Sequence, residues 1–387
     1  MFLRLLTLFL ILSVQCTAQN PEISRTDFEI PGGSIFGAAL SSSGNVMYAQ
    51  QYLFDDDVSA SRQRIVKISS WDIRGNALLV NRSFLESRRS QTFPCRRTIF
   101  GETSGHLYIC SERRSIGILD GKELTILRAI QPSAEGTIRD FAIDEVRDRI
   151  YILADHANGA TTLEEMSIST GTKINSVALA DSTLAYSPLT YRSASGLLTV
   201  AFTRTGGFGQ KTDLILYDAS TLNTVRKVSD LPRIDGLAFA GSRLIAAPGY
   251  VGFKKTDCLI SLDLQTFEST SDYCAPKTGV DFSVASVSNA YLVASTGVNK
   301  PKLFSDVIES VSSSLSIWSI ETKKLLTSLT LPTGYTSALA GVTILGSPGG
   351  CFVAYQSSGV SPILISACIA EHPVDSHRTS LSGNRPK

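Results

Sequence analysis

The fold of this chain is indicated by a segment type that recurs along it, clearest in Leu214-Ile-Leu-Tyr-Asp-Ala-Ser-Thr-Leu-Asn-Thr-Val-Arg226. An apolar run leads to Asp218, a short turn rich in Ser and Thr follows, and a second stretch begins at Thr224. Short apolar runs bounded by turn residues indicate strands rather than helices. The segment therefore predicts a β-hairpin formed by the last two strands of a larger unit.

Related segments follow the same plan, and an Asp or Ser marks the start of each turn. These anchors are Asp72, Asp120, Ser169, Asp218, Asp263 and Ser319. Successive anchors lie 48, 49, 49, 45 and 56 residues apart. A period near fifty residues with four short strands per unit is typical of a β-propeller.

The seventh unit has only three predicted strands, at 339–345, 351–356 and 362–369. The N-terminal segment 24–32 resembles the last strands of the other units, and its pairing with the seventh unit would remove two open sheet edges. We therefore predict one all-β domain over residues 24–370. It is a seven-bladed β-propeller of four-stranded antiparallel blades, closed by an N-terminal strand that completes the last blade.

Residues 1–18 have the features of a secretory signal peptide. Arg4 precedes the mostly apolar stretch Leu5–Val14, and Cys16-Thr-Ala18 supplies small residues before Gln19. This stretch is too short to span a bilayer, and no later stretch predicts a transmembrane span. We predict a secreted or periplasmic protein cleaved near Ala18, with a lipid anchor at Cys16 as the alternative. Residues 371–387 are predicted to form a polar C-terminal tail.

The six cysteines beyond the signal are expected to form disulfides, because an even number is typical of an exported chain. Each predicted pair straddles a turn signal, and residues equidistant from a hairpin turn face each other at disulfide distance. The pairs are Cys95–Cys110, Cys258–Cys274 and Cys351–Cys368. Three reduced, buried pairs are the alternative.

The composition argues against several classes of partner and chemistry. Lys and Arg number 36 against 35 Asp and Glu, so the net charge is +1 and binding to nucleic acid is not expected. Only 4 histidines are present, too few and too scattered for a three-histidine metal site. We expect no cofactor and no metal site, although Asp55, Asp56 and Asp57 leave calcium binding open.

Candidate binding residues fall on long connections between the second and third strands and on the connections between blades, which share one face of a propeller. Clustered arginines can fork onto a carboxylate, phosphate or sulfate, and exposed aromatics can stack on a sugar or anchor a protein. The candidates are Arg88, Arg89, Arg113, Arg114, Phe208, Phe253 and His156. A solvated rim, neutralised by the three aspartates at 55–57, is the alternative for the arginines.

Two stretches, Leu40-Ser-Ser-Ser-Gly-Asn-Val-Met-Tyr-Ala49 and Leu216-Tyr-Asp-Ala-Ser-Thr-Leu-Asn-Thr-Val225, resemble the repeats of secreted bacterial YVTN-type propellers. This group is placed with the quinoprotein amine dehydrogenase-like and lactonase-like propellers. The resemblance implies the propeller fold, and the lactonase-like or quinone-dependent activities of such propellers, but a fold of this kind hosts many unrelated functions.

We predict an exported, monomeric propeller that acts as an interaction module for a protein, or for a small anionic or sugar ligand, through its long-loop face. A lactonase-like or other hydrolase, with acids and Arg at the mouth of the central channel, is the alternative. No linear catalytic motif decides between them, so whether the protein is an enzyme stays open at this point.

Overall fold

The computed structural model describes residues 22–31, 35–53, 63–87, 95, 97–111, 114–132, 136–156, 159–179, 188–204, 211–248, 258–275, 279–301, 308–331, 342–356 and 363–369. These residues form seven four-stranded antiparallel sheets and a single short 3-10 turn at Ser193–Ser195. The predicted seven-bladed β-propeller is therefore confirmed. The predicted signal (1–18) and tail (371–387) lie outside the described residues.

The strands follow the order expected for a propeller, with β1 (Ile23–Glu29) set apart at the N-terminus. Blade one comprises β2 (Ile35–Leu40), β3 (Val46–Leu53), β4 (Gln63–Asp72) and β5 (Ala77–Ser87). Blade two comprises β6 (Thr98–Phe100), β7 (His106–Ser111), β8 (Ser115–Asp120) and β9 (Ile126–Ile130). Blade three comprises β10 (Thr137–Asp144), β11 (Arg149–Asp155), β12 (Thr161–Ser167) and β13 (Lys173–Leu179).

The second half of the ring continues in the same way. Blade four comprises β14 (Leu189–Arg192), β15 (Leu197–Arg204), β16 (Lys211–Asp218) and β17 (Thr224–Pro232). Blade five comprises β18 (Ile234–Ala240), β19 (Arg243–Pro248), β20 (Cys258–Asp263) and β21 (Ser269–Cys274). Blade six comprises β22 (Gly279–Val287), β23 (Tyr291–Pro301), β24 (Ile308–Ser319) and β25 (Leu325–Thr330). Blade seven comprises β26 (Val342–Gly346), β27 (Cys351–Gln356) and β28 (Ile363–Ile369).

The N-terminal strand closes the ring, as predicted. β1 pairs antiparallel with β28 in a register that runs from Ile23 opposite Ile369 to Glu29 opposite Ile363. It is therefore the fourth, outermost strand of blade seven. The following Ile30 is fully buried in the hydrophobic cluster between blades seven and one. Closure thus involves both main-chain pairing and side-chain packing.

The core is divided among the blade interfaces. Each of the hydrophobic clusters combines side chains from two neighbouring blades. Burial falls from the inner strands to the outer ones: β11 is buried along most of its length, whereas β13 and β17 are mainly exposed. Because every blade depends on its neighbours for burial, the ring forms one packing unit.

The two faces of the disc differ in what joins the strands. We call the turn face the side that carries the hairpin turns after the first and third strands of each blade. The loop face carries the connections between second and third strands and between blades. All the hairpin turns of the turn face lie within the described residues, whereas the loop-face connections lie largely outside them.

The turns after the third strands repeat one hydrogen-bonding pattern. At Asp120, Asp218 and Asp263 the carboxylate accepts main-chain N–H groups two and three residues later, at 2.7–3.0 Å. Ser319 accepts through its hydroxyl instead. The predicted anchor Ser169 is wrong by two residues: Ser167 lies opposite Arg149 at the strand end and accepts from the N–H of Thr170.

A residue with positive φ follows each anchor by four positions. This position is occupied by Asn76, Leu124, Gly171, Leu222, Phe267 and Lys323. Its N–H donates to the anchor carbonyl in blades two to five, at 2.8–2.9 Å. The left-handed conformation favours Gly or Asn, so Leu124 and Leu222 are held there by burial of their side chains.

The turn carboxylates give the first testable prediction, which concerns acid stability. N–H groups of Glu123 and Lys122 lower the pKa of Asp120, and those of Thr266 and Gln265 lower that of Asp263. The pKa of Asp218 is lowered first by the Ser220 hydroxyl. A depressed folded pKa contributes stability that is present above about pH 4 and lost as the pH falls below it. Replacing all three by Ser, as at Ser167, should therefore make stability less steeply dependent on pH between about 4 and 2.

Urea unfolding at a series of acidic pH values measures this slope. The variant with Asn at the same three positions keeps an acceptor oxygen without a titrating group, and we expect it to follow the Ser variant. An unchanged slope in both variants would show that these turns do not contribute to acid unfolding.

All three predicted disulfides are present. Cys258 pairs directly with Cys274 across β20 and β21, and Cys351 with Cys368 across β27 and β28. The first pair has a different geometric origin, because Cys95 precedes β6, whose Thr98 lies opposite Ile109. This disulfide ties the chain entering blade two to β7. The three bonds fit a protein that folds in an oxidising, exported compartment.

Blade six has two middle strands that are longer than its inner and outer strands. β23 ends at Pro301 and β24 begins at Ile308, so these two strands are the longest of the blade. The β23–β24 register continues to Pro301 opposite Ile308, whereas β22 and β25 stop pairing at Gly297 and Ser314. A two-stranded ribbon thus extends beyond the blade on the loop face. Within the part of the chain that the structure describes, no helix is long and apolar enough to cross a membrane.

Candidate functional site

The candidate site residues from the sequence fall into two groups. Arg114 is exposed just before β8, and His156 directly follows β11. The remaining candidates lie outside the described residues, as do the aspartates considered for calcium. They are Arg88, Arg89, Arg113, Phe208, Phe253, Asp55, Asp56 and Asp57.

His156 lies on the loop face of blade three. Its N–H donates to the carbonyl of Ala160 at 2.8 Å, so the chain turns back at once into β12. Its ring Nε2 is 2.7 Å from Oγ1 of Thr162 and 4.0 Å from Oε1 of Glu164. The hydroxyl and the carboxylate therefore approach the same ring nitrogen. A nucleophile–histidine–acid relay needs them on opposite nitrogens, so this group does not have the geometry of a catalytic triad.

An ion pair lies beside this histidine. The guanidinium of Arg139 contacts Oδ2 of Asp155 through both Nε and Nη2. The other carboxylate oxygen of Asp155 accepts from the hydroxyl of Thr161 at 2.9 Å. Arg139 is the extra residue of a β-bulge between Ile138 and Asp140, at the beginning of the inner strand. Bulges redirect side chains at functional rims, and this one turns Arg139 toward the second strand of its own blade.

The next residue, Asp140, connects three blades. Its Oδ2 accepts from the N–H of Leu189 in blade four at 2.7 Å and lies 3.4 Å from Nη1 of Arg97 in blade two. Its Oδ1 accepts from the N–H of Phe141. The carboxylate is buried, and burial raises its pKa against the opposing influence of Arg97 and the N–H donors.

A further Arg–Asp pair begins the inner strand of blade five. Nε of Arg233 donates to Oδ1 of Asp235 at 2.7 Å, and Asp235 is the extra residue of the bulge between Ile234 and Gly236. Oδ2 of Asp235 is buried and has no hydrogen-bond partner among the described residues. Burial raises the pKa of this carboxyl, and Arg233 opposes the shift.

These pairs share a location. The first strands of most neighbouring blades contact each other around the ring axis, and Arg97, Arg139 and Arg233 all lie where such a strand begins on the loop face. The structure thus brings together Arg97, Arg139, Asp140 and Asp155, with His156 nearby. No group of three metal-ligating side chains occurs among the described residues.

Sequence reasoning missed most of this cluster. The candidates from the sequence did not include Arg97, Arg139, Asp140, Arg233 or Asp235. Arg97 and Asp140 are 43 residues apart and belong to different blades. One weak sequence pattern could have pointed to these residues. An Arg lies within two residues of an Asp at the start of the inner strand, as in Arg139-Asp140 and Arg233-Ile-Asp235.

No family model and no curated protein matches this chain. The seven-bladed architecture implied by the sequence resemblance is confirmed by the sheet topology.

Proposed function

We propose that the protein is an exported binding module whose loop face takes a protein partner or a small anionic or sugar ligand. The observation that carries the proposal is the difference between the two faces. Many turns of the turn face satisfy their own N–H groups through Asp or Ser anchors. The loop face instead has Arg–Asp pairs at the inner strands and the projecting ribbon of blade six. Exposed, charge-bearing connections on a rigid scaffold commonly serve binding.

The proposed binding contacts are the residues that the sequence analysis predicts for the loop face. Arg88, Arg89, Arg113, Arg114, Phe208, Phe253 and His156 remain the proposed loop-face contacts. The proposal also includes export by the signal at 1–18 with cleavage near Ala18, and N-terminal analysis of the exported chain would distinguish that end from a lipid-modified Cys16. We also propose that the propeller is of the bacterial YVTN and quinoprotein amine dehydrogenase-like type that the sequence resemblance implies.

A screen with matched variants tests which face binds. The wild type is heated with a panel of saccharides, organic acids and peptides, and ligands that raise the melting temperature are kept. We expect the shift to be lost when Arg88, Arg89, Arg113 and Arg114 are replaced by Ala. The control replaces four exposed turn-face cations, Arg74, Lys122, Lys173 and Lys324, which removes the same charge. If a ligand's shift in melting temperature is lost only in the control variant, the assignment of the loop face is overturned.

A lactonase-like or other hydrolase is the second candidate, and one observation favours it. Asp235 is a buried carboxyl with a raised pKa and an oxygen without a partner among the described residues, and a raised pKa favours the protonated form that a general acid uses. Hydrolysis of γ-butyrolactone or p-nitrophenyl acetate that is abolished by Asp235→Asn would support this activity. Turnover absent from the wild type would leave the binding module as the function.

A further inference from the structure

We infer that Arg97 and Arg139 form an oxyanion-binding site on the loop face between blades two and three, which takes a carboxylate or phosphate group of a small ligand. The inference rests on the proposed function and names the chemistry of one part of the same face. It uses arginines different from those that the sequence singled out.

The two arginines are linked through the bulge at the beginning of β10. Arg139 immediately precedes Asp140, and Oδ2 of Asp140 lies 3.4 Å from Nη1 of Arg97. Arg97 enters from blade two, at the beginning of β6, and Arg139 from the bulge of blade three. Arg97 is thus paired with Asp140 of the bulge, and Arg139, the preceding residue of the same bulge, is paired with Asp155.

The charges are arranged so that the cations meet solvent. The side chain of Asp140 is 6% exposed, whereas those of Arg97 and Arg139 are 36% and 34% exposed. Asp155, on the other side, is satisfied by Arg139 and Thr161. In both pairs the arginine side chain is therefore more exposed than its acidic partner, and the difference is larger for Arg97 and Asp140.

Both arginines keep unused donors. The contacts within the described residues engage Nη1 of Arg97 and the Nε and Nη2 of Arg139. Nε and Nη2 of Arg97 and Nη1 of Arg139 have no partner among those residues. A guanidinium held in place by one carboxylate can donate through its other N–H groups to a second oxyanion. Because the acids fix both side chains beforehand, little side-chain entropy is lost on binding.

Two probes distinguish the source of the oxyanion. Binding of citrate and of inorganic phosphate to the full chain without its signal is measured by isothermal titration calorimetry at constant ionic strength. Trimethyl citrate, which has the same carbon skeleton without charge, is the ligand control. Binding of citrate alone would assign carboxylate, and binding of phosphate alone would assign phosphate. Binding of neither would overturn the inference.

The variants locate the site. We expect Arg97→Gln and Arg139→Gln each to weaken binding about tenfold or more, and the double variant to abolish it. In the Arg97→Gln variant, Asp140 still accepts the N–H groups of Leu189 and Phe141. In the Arg139→Gln variant, Asp155 still accepts the hydroxyl of Thr161. Melting temperatures and circular dichroism verify that each variant is folded, and Arg139→Lys should retain part of the affinity.

Two controls separate a local site from general attraction. Arg233→Gln removes a similar Arg–Asp pair on the loop face two blades away, and Arg147→Gln removes one on the turn face, where Arg147 pairs with the buried Asp144. We expect both to bind like the wild type. Equal weakening in all four single variants would overturn the inference in favour of overall charge. If the unsubstituted chain binds neither citrate nor phosphate while the ligand panel still gives loop-face hits, this site is refuted and the proposed function stands.

Discussion

A chain that begins at Gly32 is expected to lose cooperative folding, whereas the chain that begins at Gln19 keeps it. The shorter chain lacks β1, so the outer edge of β28 loses its partner over seven register pairs. It also lacks Ile30, whose complete burial contributes about 1.5–3 kcal/mol. Total stabilities of about 5–15 kcal/mol leave little margin for losing a strand and a core residue together.

The consequences should extend beyond blade seven. Ile30 packs with residues of both blade seven and blade one, including Ile35 and Val353. Its removal therefore opens the interface at which the two ends of the ring meet. An open edge of this kind also promotes pairing between chains. We expect broad thermal unfolding, loss of near-ultraviolet dichroism and oligomers on gel filtration.

Complementation makes this prediction specific to closure. A synthetic peptide of residues 22–31, added to the shortened chain during refolding, should restore a sharp transition. The same peptide with Ile30→Asp should not, because it would bury a charge in the cluster. A shortened chain that unfolds as sharply and at the same temperature as the longer one would contradict the role of β1.

Residues that act within one turn were predictable, because the physical requirement is local. The turn after a third strand has N–H groups without strand partners, and an Asp at its start accepts them. The recurrence of Asp at the start of these turns identified Asp120, Asp218 and Asp263 from the sequence, and in the structure each carboxylate accepts such N–H groups. The error at Ser169 arose because Ser167 and Ser169 are two residues apart. Their hydroxyls would lie on the same side of a strand, so the sequence did not show which one begins the turn. Gly171, which supplies the positive φ four residues after Ser167, was the signal that would have resolved it.

Ring closure and the disulfides were also predictable, since both follow from counting strands and pairing residues across a hairpin. The candidate site was not, because its contacts join different blades. Arg97 meets Asp140 only because blades two and three are neighbours, and neither residue lies in a motif that specifies the other. The ribbon of blade six was missed for another reason: its Ser-rich β24 has few of the apolar residues that indicate a strand.

Replacing Asp140 by Ala should destabilise the protein by about 2–4 kcal/mol. The carboxylate accepts N–H groups of Leu189 and Phe141, which both belong to fully buried residues, and it pairs with Arg97. Ala leaves both N–H groups buried without an acceptor, and each costs about 1–3 kcal/mol. The variant also no longer buries a charged carboxylate, which is favourable. The expected destabilisation is therefore smaller than the sum of the two N–H penalties.

Two other substitutions separate the contributions. Arg97→Gln removes the ion pair but keeps both N–H bonds to Asp140, so a smaller loss is expected. Asp155→Ala removes a carboxylate that is 22% exposed and paired within its own blade, and surface pairs of this kind contribute about 0–1 kcal/mol. Urea unfolding gives the three values. An Asp140→Ala variant as stable as Asp155→Ala would contradict the assignment of Asp140 as a link between blades.

The pH dependence provides a second, independent test of the same residue. Burial raises the pKa of Asp140 in the folded protein, so the folded state holds this proton more tightly than the unfolded chain, whose Asp titrates near 4. Stability contributed by the group therefore falls as the pH rises from about 4 to the raised folded pKa. Asp140→Asn has no such titration, so the stability of the wild type relative to this variant should fall over that range and then become constant. A relative stability that rises with pH would mean that the hydrogen bonds from Leu189 and Phe141, together with Arg97, outweigh burial and hold the pKa low.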